Sequence, residues 1–292
     1  MHIAYITYEN MGKYNSSVED EDHILLNFLK NKGLKITEEK WSSSKIDWSV
    51  YEYAIIKTTW DYIDKFEEWT SWLNKIEQLN IKLLNPVAVV KWNSDKHYLH
   101  DIEKAGLMIT PTQYCEKYSK PQLTNFFEIF RKNELVIKPT ISGGSKNTFR
   151  FRVENVVEIQ EQIHELLEQE AYMVQPYLEE ITTEGEWSFL FFNGVYSHSL
   201  IKKAKPGDFR VQHYLGGTIH PQNPTEKQIV IAHQYVDQFA KGCLYARVDG
   251  VMVNGKFNLM ELELIDPFLF LFTNPHAYEN YFQALKLLLN KN

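Results

Sequence analysis

The chain has 292 residues, of which 44% are hydrophobic, so it can bury a large core and divide into two or three packed subdomains. Its formal net charge of -7 gives no basic field for phosphate backbones or anionic lipid, which argues against nucleic-acid and membrane-surface binding. The two cysteines form no metal-type or redox-type pair, and the N-terminus shows no signal-peptide pattern. We therefore expect a protein of a reducing cytoplasm, with no nucleic-acid or membrane partner.

Residues 1–93 predict a small open α/β domain. Hydrophobic periodicity gives its elements as a strand at 3–8, a helix at 18–32, a strand at 53–57 and a helix at 66–78. Such domains bind ligands at the ends of their strands. The segment 58–62, which contains Trp60 and Asp61, is therefore a candidate substrate loop. An aromatic packing corner is an equal alternative for the same segment.

Residues 94–175 predict a compact α+β lobe. Ser94 is a candidate N-cap for a helix that carries Lys96 in its first turn and ends at Gly106. The small, polar loop 141–147 has the composition of a flexible flap between two strands. The other predicted elements are strands at 135–139, 149–153 and 172–178 and a helix at 156–169.

Residues 176–292 predict a mainly antiparallel sheet. Asn193-Gly194 and Asn254-Gly255 each lie between two apolar runs, which is the strongest short-range signal for a β-hairpin. The hairpin strands are predicted at 187–192, 195–200, 248–253 and 256–264, with a helix at 225–241 between the two hairpins. The whole chain therefore combines α/β and α+β architecture.

Two acids alternate with apolar residues in the last predicted strand. Glu261 and Glu263 consequently point to one face of the sheet. Like charges on one face repel, and a magnesium ion held by carboxylate and phosphate oxygens would relieve the repulsion. An ordinary solvent-facing strand is the alternative interpretation.

Asp249 on the partner strand would supply a third ligand if the register allowed it. A strict two-residue turn at Asn254-Gly255 pairs Asp249 with Met260, which puts this acid on the opposite face. A one-residue bulge at Gly255 or Gly250, where glycine accepts a positive φ, would bring the three acids together.

A second group of candidates is basic. Lys138 ends an apolar strand, where an ammonium is costly without an anionic partner, and the neighbouring loop 141–147 can present backbone N–H groups to phosphate oxygens. Together they predict a phosphate clamp, although the loop lacks the Walker pattern and a plain turn is the alternative. Further cations lie in segments that otherwise alternate toward the core: Lys96, Lys202, Arg210 and Arg247.

The order of these features resembles the ATP-grasp superfamily of carboxylate-amine ligases over most of the chain. The resemblance implies an ATP-grasp fold with an N-terminal open α/β domain at 1–93. Two α+β lobes follow at 94–175 and 176–292 and clamp ATP between them. The glycine-rich flap belongs to the central lobe, and the magnesium-binding strand belongs to the C-terminal lobe.

The resemblance also implies roles for single residues. Lys96 and Lys138 match the two nucleotide-contacting lysines, and Glu186 matches the acid that holds the ribose. Asp249, Glu261 and Glu263 match the magnesium ligands, although most of these ligases carry asparagine where this chain has Glu263. The other expected nucleotide contacts are Ser142, Gly143, Gly144, Ser145, Gln175, Pro176, Tyr177, Leu178 and Lys202.

The catalytic and substrate residues follow from the same resemblance. Arg247 matches an arginine near the γ-phosphate, and it is expected to act with Lys138 and Arg210. Arg210 and the following double glycine are similar to a segment of glutathione synthetase and RimK-type ligases. The motif Thr59-Trp60-Asp61-Tyr62 most resembles the O-ureido-serine cyclo-ligase branch. The expected substrate contacts are Trp60, Asp61, Arg210, Gly216 and Gly217.

The implied function is an ATP- and Mg2+-dependent ligase, with Mn2+ as an alternative ion. It would activate a carboxylate as an acyl phosphate for attack by an amine-type nucleophile, on a small amino-acid-like substrate and with cyclisation as one variant. A carboxylate kinase and a non-catalytic ATP-binding sensor are the alternatives. Monomer and homodimer are both left open.

Overall fold

The computed structural model describes residues 1–9, 20–212 and 215–290. Three β-sheets lie in three successive stretches of the chain. None of the helices in the described ranges combines the length and the apolar composition that a membrane crossing requires. The domain boundaries predicted above stay a prediction.

The N-terminal stretch folds into a four-stranded parallel sheet with the strand order β2-β1-β3-β4. The two central strands are almost wholly buried, as expected for parallel strands with both faces covered. Its elements are β1 (Ile3–Thr7), α1 (Glu21–Asn31), β2 (Ile36–Lys40), β3 (Tyr53–Thr58), α2 (Phe66–Gln78) and β4 (Lys82–Leu83). The predicted start of α1 at residue 18 lies outside the described residues.

The central stretch folds into an antiparallel sheet with the strand order β5-β8-β6-β7. Along the chain, one helix (α5) lies between β5 and β6, and another (α6) lies between β7 and β8. The elements are α3 (Val87–Asn93), α4 (Tyr98–Lys104), β5 (Gln113–Cys115), α5 (Thr124–Phe130), β6 (Glu134–Pro139), β7 (Phe149–Arg152), α6 (Val156–Leu166) and β8 (Tyr172–Pro176).

The C-terminal stretch folds into a five-stranded antiparallel sheet with the order β11-β10-β9-β12-β13. Both predicted hairpins are confirmed, because Asn193-Gly194 and Asn254-Gly255 have positive φ at both positions, as a two-residue type I′ turn requires. The elements are α7 (Glu180–Thr183), β9 (Glu186–Phe192), β10 (Val195–Lys203), β11 (Thr218–Gln222), α8 (Glu226–Phe239), β12 (Tyr245–Val253), β13 (Lys256–Glu263) and α9 (Ala277–Asn290).

One predicted helix is wrong in its bounds. The sequence indicated a helix capped by Ser94, but α3 ends just before this residue and α4 begins after Lys96. The Ser94 hydroxyl donates to the Val90 carbonyl at 2.7 Å, so it completes the last turn of α3 instead of capping the next helix. The Lys96 N–H donates to the Thr140 carbonyl at 2.9 Å, which ties this connection to the central sheet.

Two buried asparagines hold the edge strand β13 in place. The Asn85 amide donates to the carbonyl oxygens of Tyr245 at 2.9 Å and of Leu264 at 2.6 Å. The Asn93 amide donates to the Leu262 carbonyl at 2.8 Å and accepts from the Leu264 N–H at 2.9 Å. Backbone groups on the open edge of the sheet thereby gain hydrogen-bond partners. These bonds fix the position of the strand that carries the predicted acids.

A buried acid joins the N-terminal sheet to the C-terminal lobe. Glu21, which is 2% exposed, accepts from the backbone N–H groups of Leu269 at 2.8 Å and Leu271 at 2.7 Å. Its carboxylate lies 3.8 Å from the Lys57 ammonium, which is also 3.4 Å from Asp22. Burial raises the pKa of Glu21 to about 7, even though Lys57 and the two backbone donors favour the charged form.

Replacing Glu21 by glutamine should flatten the pH dependence of stability. Because the folded-state pKa is raised above the ordinary value, the stability that Glu21 contributes is fully present below about pH 4.5 and is lost as the pH rises through 7. The loss is on the order of 3 kcal/mol. Urea unfolding from pH 5 to pH 8 should therefore show the free energy of unfolding of the wild type falling as the pH rises, while that of Glu21→Gln lacks this fall, so that the difference between the two proteins changes with pH.

The control for this experiment is Glu128→Gln, which changes an exposed glutamate on α5. Its curve should follow that of the wild type throughout. A constant difference between Glu21→Gln and the wild type over the whole pH range would contradict the assignment.

Candidate active site

A cavity of roughly 330 Å3 opens between the central and C-terminal sheets and is bordered by the end of β3. It brings together most of the residues that the sequence singled out, although they come from widely separated parts of the chain. Those in its wall are Trp60, Lys96, Lys138, Ser142, Gly143, Gly144, Ser145, Gln175, Pro176, Tyr177, Leu178, Glu186, Lys202, Arg210, Arg247, Asp249, Glu261 and Glu263.

Asp61 does not line the cavity. Its carboxylate accepts from the Trp41 indole at 2.7 Å and pairs with the Lys65 ammonium at 2.8 Å. Asp61 is also buried. Asp61 therefore fits the alternative interpretation of this segment as an aromatic packing corner. Its neighbour Trp60, in contrast, lines the cavity.

Gly216 and Gly217 also lie outside the cavity wall. The Gly217 N–H donates to the Gln212 carbonyl at 3.2 Å, and a Cβ at Gly217 would lie 2.7 Å from the carbonyl carbon of Val211. Only glycine fits so close to that backbone. Since Val211 and Gln212 do line the cavity, Gly217 shapes the turn that presents them.

The bulge predicted between β12 and β13 is confirmed. Asp249 pairs with Glu261 and Arg247 pairs with Glu263, and the register shifts between Asp249 and the next residue, which leaves Met260 as the extra residue. Directly paired residues project to the same face of a sheet. The three acids therefore share the face that forms the cavity wall.

The physical reason for the bulge differs from the one expected. Gly250, beside the bulge, does not have a positive φ. A Cβ at this position would instead lie 2.6 Å from the ring of Phe257. Glycine is needed there because the facing strand approaches closely, and Gly255 serves only the turn.

Ion pairs run without interruption across this face. The Lys202 ammonium lies 2.8 Å from Glu186 and 3.0 Å from Asp249. The Arg247 guanidinium lies 2.9 Å from Asp249 and also pairs with Glu263. The acids and cations are almost fully buried or line the cavity, so each depends on its neighbours for charge compensation.

The three predicted metal ligands differ in pKa. Burial raises the pKa of Asp249, but Arg247 and Lys202 outweigh burial and hold it at about 2. Burial raises the pKa of Glu263 to about 8, because the attraction of Arg247 is offset by the neighbouring Glu261 and Asp249 charges. Burial opposes ionisation of Glu261 too, yet nearby lysines lower its pKa. The cluster therefore carries less negative charge at neutral pH than three free carboxylates would.

Two lysines face Glu261 from the central lobe. The Lys96 ammonium lies 3.1 Å from Glu261 and donates to the Ser142 carbonyl at 2.5 Å, so it links the flap to the acidic strand. Lys138 has no ion-pair or hydrogen-bond partner for its ammonium among residues 1–9, 20–212 and 215–290. Burial lowers the pKa of Lys138. This ammonium is available to an anion in the cavity.

The flap also contacts the N-terminal domain. The Lys146 ammonium lies 2.5 Å from Asp64, and Gly143 lies next to Ile63. The Ser142 hydroxyl donates to the Pro139 carbonyl at 2.9 Å, which anchors the start of the flap to β6. The flap therefore lies between the two regions that the sequence assigned to nucleotide and substrate.

The segment after β8 leaves one backbone donor without a protein acceptor in the described residues. The Tyr177 N–H is already used, since it donates to the Glu134 carbonyl at 3.0 Å. No acceptor for the Leu178 N–H is found in the described part of the chain. Leu178 lines the cavity, so its N–H can serve a ligand.

Arg210 lies at the mouth of the cavity and is held by its own loop. Its guanidinium lies 2.9 Å from Asp208, and this contact lowers the pKa of the Asp208 carboxyl well below its usual range. The Asp208 carboxylate also accepts from the backbone N–H groups of Phe209 and Arg210. A substrate anion at Arg210 would have to share the guanidinium with Asp208.

The donor set fits a hard divalent cation bound together with a polyphosphate. Carboxylate oxygens are what Mg2+ prefers, and Mg2+ is usually bound through one or two carboxylates plus phosphates and water. Within the described residues, no three His, Cys, Asp or Glu side chains are arranged to hold a metal ion by themselves. Lys96 and Arg247 take up the coordinating oxygens instead.

The sequence missed one acid, Asp266, whose partner Thr59 lies in the candidate substrate loop 58–62. Asp266, three residues after Glu263, lines the cavity and accepts from both the N–H and the hydroxyl of Thr59. Tyr62 also lines it. The spacing of acids at 261, 263 and 266 was a usable signal, because the chain leaves β13 after Glu263 and a further acid just beyond a strand end lies near the same ligand site.

Comparison with known proteins places this site in a family. Residues 104–268 match the model of the prokaryotic glutathione synthetase ATP-grasp domain, which is more than half of the chain. The chain belongs to the ATP-grasp family. Residues 3–85 match the model of the N-terminal domain of D-cycloserine synthetase DcsG. The predicted ATP-grasp fold and family are confirmed, and with them the class of ligases to which the sequence pointed.

The similar proteins are named for cycloserine synthesis and for D-alanine–D-alanine ligation. Cycloserine biosynthesis protein DcsG of Streptomyces lavendulae is 27% identical over 184 residues, which cover 62% of this ATP-grasp chain and 61% of that protein. The crystal structure of D-cycloserine synthetase DcsG has a TM-score of 0.84 at 25% identity and covers 99% of this chain and 100% of that one. D-alanine–D-alanine ligase from Bacillus anthracis complexed with ATP shares the fold, with a TM-score of 0.68 at 13% identity over the whole of both chains.

Replacing Gly250 by alanine should disturb the acidic strand. The added methyl group collides with Phe257, and such overpacking costs about 1–3 kcal/mol. If the strand slips to avoid the collision, Glu261 leaves the cavity face. We expect a lower urea midpoint together with a smaller rise in melting temperature on addition of Mg2+ and ATP.

Gly255→Ala is the matched control on the same hairpin. The turn has open space around Gly255 but a positive φ, so the expected cost is about 1 kcal/mol with a normal response to nucleotide. A Gly250→Ala variant with wild-type stability and a full response to nucleotide would show that the close approach does not position the acids.

Proposed function

We propose that this chain is an ATP- and Mg2+-dependent ligase that joins the carboxylate of a small amino-acid-like substrate to an amine-type nucleophile. The observation that carries the proposal is the pairing of Asp249 with Glu261 and of Arg247 with Glu263 on one cavity wall, opposite Lys96 and Lys138. Acids for a metal ion and cations for phosphate thus face each other in one cavity.

The nucleotide would lie between the central and C-terminal sheets. Leu178 would donate its free N–H to the adenine edge, and Glu186 would accept from the ribose hydroxyls once it releases Lys202. Lys96 and Lys138 would bind phosphate oxygens. The flap backbone at 142–145 would close over the phosphates and keep water from the reacting atoms.

The metal site would be formed by Asp249, Glu261 and Glu263, with Mn2+ as an alternative to Mg2+. Mg2+ bound there would supply charge neutralisation for the triphosphate. Arg247 and Lys96 would release Glu263 and Glu261 and turn toward the phosphate charge. Burial raises the pKa of Glu263, and a bound metal ion would favour the ionised form of this carboxyl.

Two steps complete the reaction. A carboxylate oxygen of the substrate attacks the γ-phosphorus of ATP, the bond to the β,γ-bridging oxygen breaks, and ADP leaves. The nucleophile nitrogen then attacks the acyl phosphate carbon, inorganic phosphate leaves with the electron pair of the carbon–oxygen bond, and the nitrogen loses a proton to solvent. Arg247, Lys138 and Arg210 would stabilise the charge that develops in both steps.

The likeness to DcsG supports an amino-acid-like substrate and allows for ring closure within one molecule. A cytoplasmic location is proposed because the two cysteines form no metal-type or redox-type pair, which suits a reducing compartment. A carboxylate kinase would stop after the first step, and a sensor would bind ATP without releasing ADP. Hydroxylamine trapping identifies a sensor, which forms no trappable acyl phosphate. Product analysis with an amine then separates a ligase, which passes the acyl group to the amine, from a kinase.

Replacing Glu261 by glutamine should abolish turnover without unfolding the protein. The change removes one carboxylate from the metal site and leaves Lys96 without its anionic partner. We expect Mg2+-dependent ADP release to fall by at least about 100-fold. Steady-state ADP release at saturating ATP, with urea unfolding alongside, measures both effects.

Glu128→Gln again serves as the control, since this exposed glutamate is not among the residues that line the cavity. It should retain wild-type turnover. Unchanged ADP release in Glu261→Gln would refute the metal assignment.

A further inference from the structure

Asp266 has an unused oxygen in the cavity. Its Oδ2 accepts from the Thr59 N–H at 3.0 Å and from the Thr59 hydroxyl at 2.9 Å. Its Oδ1 has no hydrogen-bond or ion-pair partner within the described ranges of the chain. Oδ1 is also not fully buried. This oxygen is therefore open to a ligand in the cavity that Asp266 lines.

The surroundings of Asp266 favour a cation. The Trp60 indole N–H donates to the Asp266 carbonyl at 3.3 Å, so the Trp60 ring lies beside this acid. The charges of Asp266, Glu261 and Glu263 all raise the pKa of the buried Tyr62 hydroxyl, after burial itself. Tyr62 therefore lies among three acids. Aromatic rings and carboxylates together are the usual environment for an ammonium group.

Lys57, whose charge acts on Asp266, and Arg247, which also lines the cavity, are already paired with other acids. Lys57 lies against Glu21 and Asp22 and makes no ion pair with Asp266. Arg247 pairs with two acids of the adjacent strands. Burial raises the pKa of Asp266 to about 6, despite the Thr59 donors and the more distant Lys57 charge. An ammonium placed at the open oxygen would compensate this acid.

We propose that Asp266 binds the amino group of the substrate, so that the enzyme selects carboxylates that carry a nearby ammonium. This rests on the proposed ligase function. Asp266 follows the strand that carries Glu263, and Arg247 pairs with Glu263 from the adjacent strand. The substrate carboxylate would lie at Arg247, toward the phosphates, and its ammonium at Asp266, toward Trp60. Oxygen Oδ2 keeps the contact with Thr59 while Oδ1 binds the substrate.

The test compares amino acids with their desamino counterparts. Wild-type protein is assayed for ADP release and hydroxylamine trapping with a panel of D- and L-amino acids, and with the acid that lacks the amino group for each one accepted, such as propionate for alanine. We expect kcat/KM to be at least 10-fold higher for the amino acid, since a charge-assisted hydrogen bond contributes that much or more.

Asp266→Asn is the decisive variant. Its amide oxygen can still accept from Thr59, but an amide N–H2 replaces the open oxygen. We expect KM for the amino acid to rise roughly 10- to 100-fold, with kcat/KM for the desamino acid and the melting-temperature response to Mg2+ and ATP both unchanged. The preference for the amino group should therefore disappear.

Thr59→Val is the matched control. It removes one donor to Oδ2 and leaves the Asp266 carboxylate charged, so it should lower stability and retain the preference for amino acids. Retained preference in Asp266→Asn, or equal use of desamino acids by the wild type, would overturn the role of Asp266 while the ligase function stands. A wild type that releases no ADP with any acid in the panel would overturn the ligase function itself.

Discussion

Charge compensation on one face of the C-terminal sheet is the constraint on which the rest of the structure depends. Asp249, Glu261 and Glu263 lie together in a largely buried wall, where unpaired carboxylates would be very costly. Arg247 comes from the same sheet, but Lys96 reaches in from the connection between α3 and α4. These acids are therefore compensated by cations that would have to move when a metal ion and phosphates bind.

The backbone around these acids is held more tightly than the acids themselves. A bulge beside Gly250 sets which face Glu261 and Glu263 occupy, and the neighbouring strand leaves no room for a side chain at this glycine. Two asparagines from the preceding segment, Asn85 and Asn93, then occupy the open edge of the strand. Side-chain partners can exchange during ligand binding while the strand keeps its position.

The sequence predicted elements that depend on local patterns and missed those that depend on distant contacts. The Asn-Gly turns and the period of α2 are local signals, and they were confirmed. Ser94 is an exception, because it looked like a helix cap but its hydroxyl bonds backward to Val90, only four residues away. Asp61 and Asp266 do show the limit set by distant contacts, because their partners lie about 20 residues and 207 residues away in sequence. The spacing after Glu263 pointed to Asp266, but the contacts to Trp41 and Thr59 that hold the two acids are set by the fold.

The central claim is that a metal ion and phosphates replace the ion-pair partners of the acidic strand. A crystal structure with Mn2+ and a non-hydrolysable ATP analogue tests this claim most directly, because anomalous scattering locates the manganese without bias. We expect manganese within coordination distance of Glu261 and Glu263, with the Lys96 ammonium moved from Glu261 to a phosphate oxygen. Manganese bound away from these acids, with the Lys96–Glu261 pair of 3.1 Å still intact, would contradict the proposed role of the acidic strand.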